Sequence, residues 1–199
     1  MLLNNTNIKF VEETHQYFRH DGQELFGITG VISRQLFPDK YKNVPKNILQ
    51  NKARRGQEIH NQCFTYDMFG TIESMETEMY ANLKNRENFN VIDSEYLVSD
   101  LSNFATAIDK VFTFDGYSKN EVDICDIKTT YKLDKQYISW QLSIGKYLFN
   151  LNNPKVKVKK LYTIWIKDKA ELIEIEEKPI DQVIKLLECE IKGVRFLEN

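Results

Sequence analysis

Residues 104–129 read FATAIDKVFTFDGYSKNEVDICDIKT, and the folding of this stretch decides how the rest of the chain is read. Phe104 to Phe114 and Glu121 to Thr129 are rich in β-branched and aromatic residues, with Asp115-Gly116 as a turn former between them, so the pattern predicts two strands of a hairpin. Asp109 interrupts the first, otherwise apolar strand, and Asp126 and Lys128 stand two apart in the second, hence on one face of it. Pairing of the strands would bring Asp109 near Asp126, with Lys128 beside them. Crowded carboxylates repel, which raises a pKa or demands a cation, and Mg²⁺ accepts one or two carboxylates while keeping room for water and a phosphate oxygen. A metal at Asp109 and Asp126 would supply Lewis acidity for phosphodiester hydrolysis. Lys128 would orient or deprotonate the attacking water and balance charge. For an isolated Asp-x-Lys an exposed ion pair is the plainer reading, so its neighbours must decide.

Upstream, IKFVEETHQYFRHDGQELF holds two short strand-like runs broken by turn formers, and Asp21-Gly22 marks a small antiparallel unit. From Pro45 to about Phe69 the apolar period becomes helical, with Leu49, Ala53, Gly56, His60 and Phe64 expected on the inward face. Good helix formers from Glu73 to Asn88 predict a second helix, and Val91 to Val98 reads as another strand. Downstream, Asp134 to Asn150 is helical in period, stopped by Asn152-Asn153-Pro154. Lys160 to Lys167 and Glu171 to Glu176 predict a hairpin, and Pro179 opens a last helix with Val183, Ile184, Leu187 and Ile191 as its apolar positions. The basic run from Lys155 to Lys160 reads as a sheet edge protected by lysine. This order predicts one α/β domain over 1–199 with a central mixed β-sheet flanked by helices. Within it, 1–42 is an N-terminal β-hairpin and short helix, 43–90 a helical front carrying His60, 91–178 the catalytic sheet and helix, and 179–199 a closing helix.

At 199 residues a single core is expected, and no apolar stretch approaches the roughly 20 residues that span a bilayer. The start, MLLNNTNIKF, lacks the pattern of a secretory signal, so a cytoplasmic protein is expected. Cys63, Cys125 and Cys189 are too few and too scattered for disulfides, zinc or an iron-sulfur cluster, and read as buried thiols. A net charge of −2 gives no general basic face for nucleic acid. An acidic metal pocket with a local basic rim is compatible with that charge.

Four pieces stand in order along the chain: RRGQEIH at 54–60, SEYLVSDLSNFATAIDKVF at 94–112, DICDIKTT at 123–130 and WQLSIGKYLF at 140–149. Together they resemble the PD-(D/E)XK nuclease superfamily, in particular its RecB-like and phage-type exonuclease branch. HQYFRHDGQELFGITGVI is similar to the front segment of phage-type members, so the resemblance runs over roughly residues 15 to 150. It implies a restriction-endonuclease-like core. It further implies that His60, Asp109, Asp126 and the main-chain carbonyl of Ile127 hold Mg²⁺ or Mn²⁺, that Lys128 is catalytic, that Gln141 steadies the substrate or the lysine, and that Tyr147 supports the site.

Taken alone, a histidine on the inner side of a helix is more often a hydrogen-bonded core residue than a ligand. The acidic strand pair downstream shifts His60 toward ligation. Glu95 stays open between a carboxylate supporting the ligands, a ligand through water and a solvent-facing strand residue. Tyr147 reads equally well as a core aromatic. Arg54, Arg55, Thr129, Thr130 and Lys132, with Lys135, flank the site and are candidates for DNA phosphates, with solvated charge as the rival reading. His15 and His20 read as surface residues. The implied activity is a Mg²⁺- or Mn²⁺-dependent exodeoxyribonuclease acting on DNA ends in phage or prophage recombination or end processing. A single-strand annealing or other recombination protein and a second copy of the chain are the protein partners considered. The alternatives are a structure-selective or nicking endonuclease and a non-catalytic nucleic-acid- or protein-binding module on the same fold.

Overall fold

The computed structural model describes residues 3–197, so positions 198 and 199 of the expected closing unit lie outside the described residues. The chain opens with β1 (Ile8–Val11), β2 (Gln16–Arg19) and β3 (Glu24–Gly27), an antiparallel meander one strand larger than the expected hairpin. The turn at Asp21-Gly22 carries Gly22 in the left-handed region (φ 86°), where a side chain would be strained. β3 then runs parallel to the start of β5 (Phe104–Phe114), with Phe26↔Phe104 and Gly27↔Ala105, which ties the meander to the main sheet.

The sheet is mixed. β4 (Phe89–Ser99) pairs antiparallel with β5, β5 pairs antiparallel with β6 (Glu121–Lys128), and β6 runs parallel to β7 (Lys157–Ile166). β8 (Ala170–Ile175) closes the far side antiparallel to β7. The parallel β6–β7 step needs a crossover, and helix α4 (Lys135–Asn152) provides it. Asp134 caps α4 by accepting from the Tyr137 N–H (3.0 Å), and the chain leaves the helix at Asn153.

Helices cover both faces. On one side α1 (Ile28–Gln35), α4 and α5 (Ile180–Lys192) bury Ile32, Trp140, Leu148, Phe149 and Leu186 against Val98, Ile108 and Ile124. On the other, α2 (Lys46–Phe69) and α3 (Met75–Glu87) bury Ile59, Cys63, Tyr80 and Leu83 against Phe89, Phe112, Ile127 and Ile164. Each such large side chain, fully buried, stabilises by roughly 1.5–3 kcal/mol, which is why the two helical layers hold the sheet between them. The α/β architecture with a mixed sheet flanked by helices is therefore present. Among the described residues no helix is long and apolar enough to cross a membrane.

Three local expectations need correction. The inward face of α2 is Ile59 and Cys63, with His60 half-buried beside them. Ala53 is exposed, because the helix is not covered before Gly56, and Phe64 is 38% exposed, because it lies off the face that Ile59 and Cys63 bury. In α5 the buried set is Val183, Leu186 and Leu187, while Ile184 and Ile191 face outward. The lysine run does not guard an edge, since β7 is hydrogen-bonded on both sides. Its Lys159 and Lys160 instead pair with Glu121 (3.6 Å) and Glu174 (2.6 Å) on the flanking strands, as cross-strand opposite charges do.

Candidate metal centre and catalytic lysine

Sheet register puts three carboxylates in a row. Ser94↔Lys110 and Tyr96↔Ile108 flank the pair, so Glu95 on β4 stands across from Asp109 on β5. On the other side, Asp109 and Asp126 meet one step beyond Lys110↔Cys125, where the β5–β6 ladder ends. Like charges facing one another across strands destabilise a sheet. Glu95 adds a left-handed backbone (φ 54°) inside a strand, a conformation L side chains adopt at a cost of order 1–3 kcal/mol and one concentrated at functional sites.

His60 descends on this row from α2. Its Nε2 lies 3.0 Å from the Ile127 carbonyl oxygen, and its Nδ1 faces Asp109 Oδ2 at 3.4 Å and Glu95 Oε1 at 3.9 Å. The Nε2–H donates to the carbonyl, which leaves Nδ1 facing the two carboxylates. Ligand atoms of His60, Glu95 and Asp109 all fall within 4.8 Å of one another. The second Asp109 contact, acceptance from the Ile127 N–H at 2.6 Å, fixes the carboxylate's direction.

Asp126 faces a different set of partners. Its Oδ1 accepts from Lys128 Nζ (2.8 Å) and from Gln141 Nε2 (2.6 Å), and Lys128 also donates to Gln141 Oε1 (3.2 Å). The i, i+2 spacing on β6 thus produces an ion pair, and Gln141 reaches it from the second turn of α4. Asp126 Oδ2 and Glu95 Oε1 are both buried without a hydrogen-bond partner. Burying an acceptor unpaired costs about 1–3 kcal/mol, so two within one cluster mark a place where a cation fits the donor set. Burial, and secondarily the Asp109 charge, push Glu95 up to about 8. Burial likewise raises Asp126 to about 6, although the Lys128 charge opposes it and Asp109 adds to it. For Lys128 burial pulls the pKa down, yet the Asp126 and Asp109 charges outweigh burial and hold it above the ordinary lysine value.

A second layer of charge anchors α2 over β5. Asp67, seven residues after His60 on the same helix, takes Lys110 Nζ at 2.7 Å, Lys84 Nζ at 2.6 Å and the Tyr80 hydroxyl at 2.8 Å. Lys110 is fully buried and also donates to Ser94 Oγ (2.9 Å). Removing one partner of a buried pair costs about 3–5 kcal/mol, so this cluster resists any slide of α2 that would carry His60 away.

The expected residues therefore divide. His60, Asp109, Asp126, Ile127, Lys128 and Gln141 come together, and Glu95 joins them as a direct neighbour of His60 and Asp109. Tyr147 does not join them: its ring packs with the apolar core under α4, while Tyr137 from the first turn of that helix stands beside Lys128 and Gln141. Thr130 and Lys132 line the cleft at Lys128. Thr129 lies against α2, where a Cβ on Gly56 would sit 3.7 Å from its hydroxyl. Arg54 is exposed, and Arg55 is engaged by Glu58 (3.0 Å) and Glu76 (2.6 Å). His15 and His20 are exposed, Cys63 and Cys125 are buried, and Cys189 is partly buried. Sequence reading missed Asp67 and Lys110, whose only signal is a buried-strand lysine adjacent to Asp109, and it missed Lys40, Tyr41 and Tyr137.

No protein-family model matches the chain, and no curated protein matches it. Among solved structures, the crystal structure of SSO0001 overlays with a TM-score of 0.48 at 16% identity, covering 85% of this chain and 75% of that one.

Proposed function

We propose that the chain is a metal-dependent DNA nuclease of the PD-(D/E)XK type, RecB-like in its site and built on a restriction-endonuclease-like core. One observation carries the reading: His60, Glu95 and Asp109 converge within 4.8 Å, beside a lysine that Asp126 and Gln141 hold at 2.8 and 3.2 Å. Mg²⁺ or Mn²⁺ suits one or two of these carboxylates with an imidazole and a carbonyl oxygen, and when bound supplies Lewis acidity and charge neutralisation for phosphodiester cleavage. His60, Asp109 and the Ile127 carbonyl would hold it, with Glu95 and the free oxygen of Asp126 as the remaining carboxylate donors.

The chain's own residues do the rest. Lys128, kept protonated by its acidic neighbours, presents an ammonium at the edge of the site. It can therefore hold a phosphate or water oxygen and offset developing negative charge. Gln141 and Asp126 limit its motion, so the donor is placed before substrate arrives. Thr130 and Lys132 lie on the approach, where phosphates of a bound strand would pass. The activity proposed is exonucleolytic, on DNA ends, in recombination or end processing.

The test is digestion of linear duplex, closed circular and single-stranded DNA with Mn²⁺, with Mg²⁺ and in EDTA. Degradation of linear DNA that needs metal and is lost in Asp126→Asn is the expected result. Cutting of closed circles would replace the exonuclease by an endonuclease, and metal-independent or absent cleavage would overturn the nuclease reading.

A further inference from the structure

Beside the catalytic lysine opens a cleft of about 750 Å³, within the roughly 300–1,000 Å³ typical of ligand sites. Its wall carries Lys40, Lys128, Lys132 and Lys135 against a single carboxylate, Asp134. That carboxylate is already neutralised, since Lys40 Nζ binds Asp134 Oδ2 at 2.7 Å. The cleft is thus locally cationic in a chain whose net charge is −2. Lys132 and Lys135 are exposed, leaving their ammonium groups available to an anion.

The same cleft holds two aromatic rings. Tyr137 is partly buried, its ring covered by Lys40 Nζ at 3.9 Å from the centroid, and its hydroxyl donates to the Thr29 carbonyl at 3.3 Å. Tyr41, which Lys40 Nζ approaches less closely at 5.6 Å from the centroid, is 50% exposed. A basic groove lined with an exposed aromatic ring matches what an unpaired strand presents: a line of phosphates and base faces free to stack. A duplex keeps its bases stacked on one another and offers only phosphates and groove edges.

Resting on the nuclease reading for its position but not for its chemistry, we propose that this cleft seats the single-stranded nucleic acid next to the scissile phosphate. One base stacks on Tyr41 and the adjoining phosphates lie against Lys132 and Lys135. A strand so held lies in the cleft that Lys128 and Gln141 also line.

The experiment measures binding without chemistry, by fluorescence anisotropy in EDTA with a labelled ten-nucleotide oligo-dT and a blunt ten-base-pair duplex. Tyr41→Ala should weaken single-strand binding by about tenfold, since base–aromatic stacking contributes ~1–3 kcal/mol per base, while Tyr41→Phe should keep the affinity. Lys132→Ala and Lys135→Ala should each lower the slope of log affinity against log salt by about 0.7 for the single strand. Thermal unfolding of each variant checks that the fold is intact. Single-strand affinity unchanged in Tyr41→Ala, or lost equally for strand and duplex, would overturn the proposal, as would unchanged salt slopes in both lysine variants. Because the assay contains no metal, its outcome is independent of cleavage: a wild type that fails to cut but binds oligo-dT through Tyr41 would remove the nuclease reading and leave the cleft in place.

Discussion

Replacing Glu95 by Gln should stabilise the metal-free protein and weaken its hold on metal, two effects of opposite sign from one substitution. Ligand atoms of Glu95, Asp109 and His60 lie within 4.8 Å of one another, and Glu95 Oε1 has no hydrogen-bond partner. Two unit charges at that separation repel by about 3 kcal/mol at an effective dielectric constant near 20. The Glu95 side chain is 34% exposed, so screening reduces the recoverable part to about 1–2 kcal/mol. The amide removes the charge and can donate to Asp109. For a chain of this size the gain corresponds to a rise of roughly 3–6 °C in the Tm measured in EDTA.

The effect also has a pH signature. Glu95 has a folded-state pKa near 8 against an ordinary value of 4.5, raised by burial and then by Asp109. The unfolded chain therefore gives up this proton first. The stability contributed by the neutral carboxyl is complete below the unfolded pKa and is lost as pH rises through the folded one. The Tm advantage of Glu95→Gln should then be small at pH 5 and largest near pH 9. Mn²⁺ reverses the ranking, because a cation favours the ionised carboxylate, and the Mn²⁺-induced rise in Tm should be smaller in the variant. A Glu95→Gln protein that melts lower than wild type in EDTA at pH 8 and still gains as much from Mn²⁺ would refute the reasoning.

Lys128→Ala should reduce DNA cleavage by about 10²–10³-fold or more while Mn²⁺ affinity, measured by calorimetry, changes little, because the lysine contacts Asp126 through Oδ1 and leaves Oδ2, the oxygen proposed for the metal, untouched. His60→Ala should weaken Mn²⁺ binding in the same calorimetric titration, since it removes the ring that faces both Asp109 and Glu95. Asp67→Ala leaves the fully buried Lys110 without its carboxylate and should cost about 3–5 kcal/mol in chemical denaturation, whereas the double variant Asp67→Leu with Lys110→Met should recover much of that loss. Tyr147→Phe should leave cleavage within about twofold in a linear-DNA assay, as its ring packs with the core rather than at the site.

Much of the secondary structure is legible because period is local. The apolar, aromatic-rich run Phe104–Phe114, the i, i+2 pair Asp126 and Lys128, the stop at Asn153 and the turn at Asp115-Gly116 each follow from a few adjacent side chains. The inward face of α2 is misread because polar residues outnumber apolar ones along it. The face that meets the sheet carries Ile59 and Cys63, which share a core cluster with Phe89 and Phe112 from distant strands. The lysines of β7 mislead for a related reason: exposed charge on a strand suits an edge, yet it also suits an inner strand whose neighbours carry Glu121 and Glu174.

The candidate site shows the same division. Sequence alone marks Asp109, Asp126 and Lys128 as polar interruptions in apolar strands, since a buried strand tolerates such residues only with partners or a purpose, and it marks His60 by its place on the helix face read as inward. Only the tertiary structure decides who those partners are. Register across β4 and β5 brings Glu95 opposite Asp109, α4 delivers Gln141 to Lys128, and Asp67 with Lys110 fixes the height of His60. Tyr147 packs against the core under α4, and Tyr41 lines the cleft beside Lys128. Local pattern fixes what each segment can be, because propensity and side-chain period act over a few residues. Convergence of polar side chains from separate elements depends on strand register and helix packing, which are properties of the whole core.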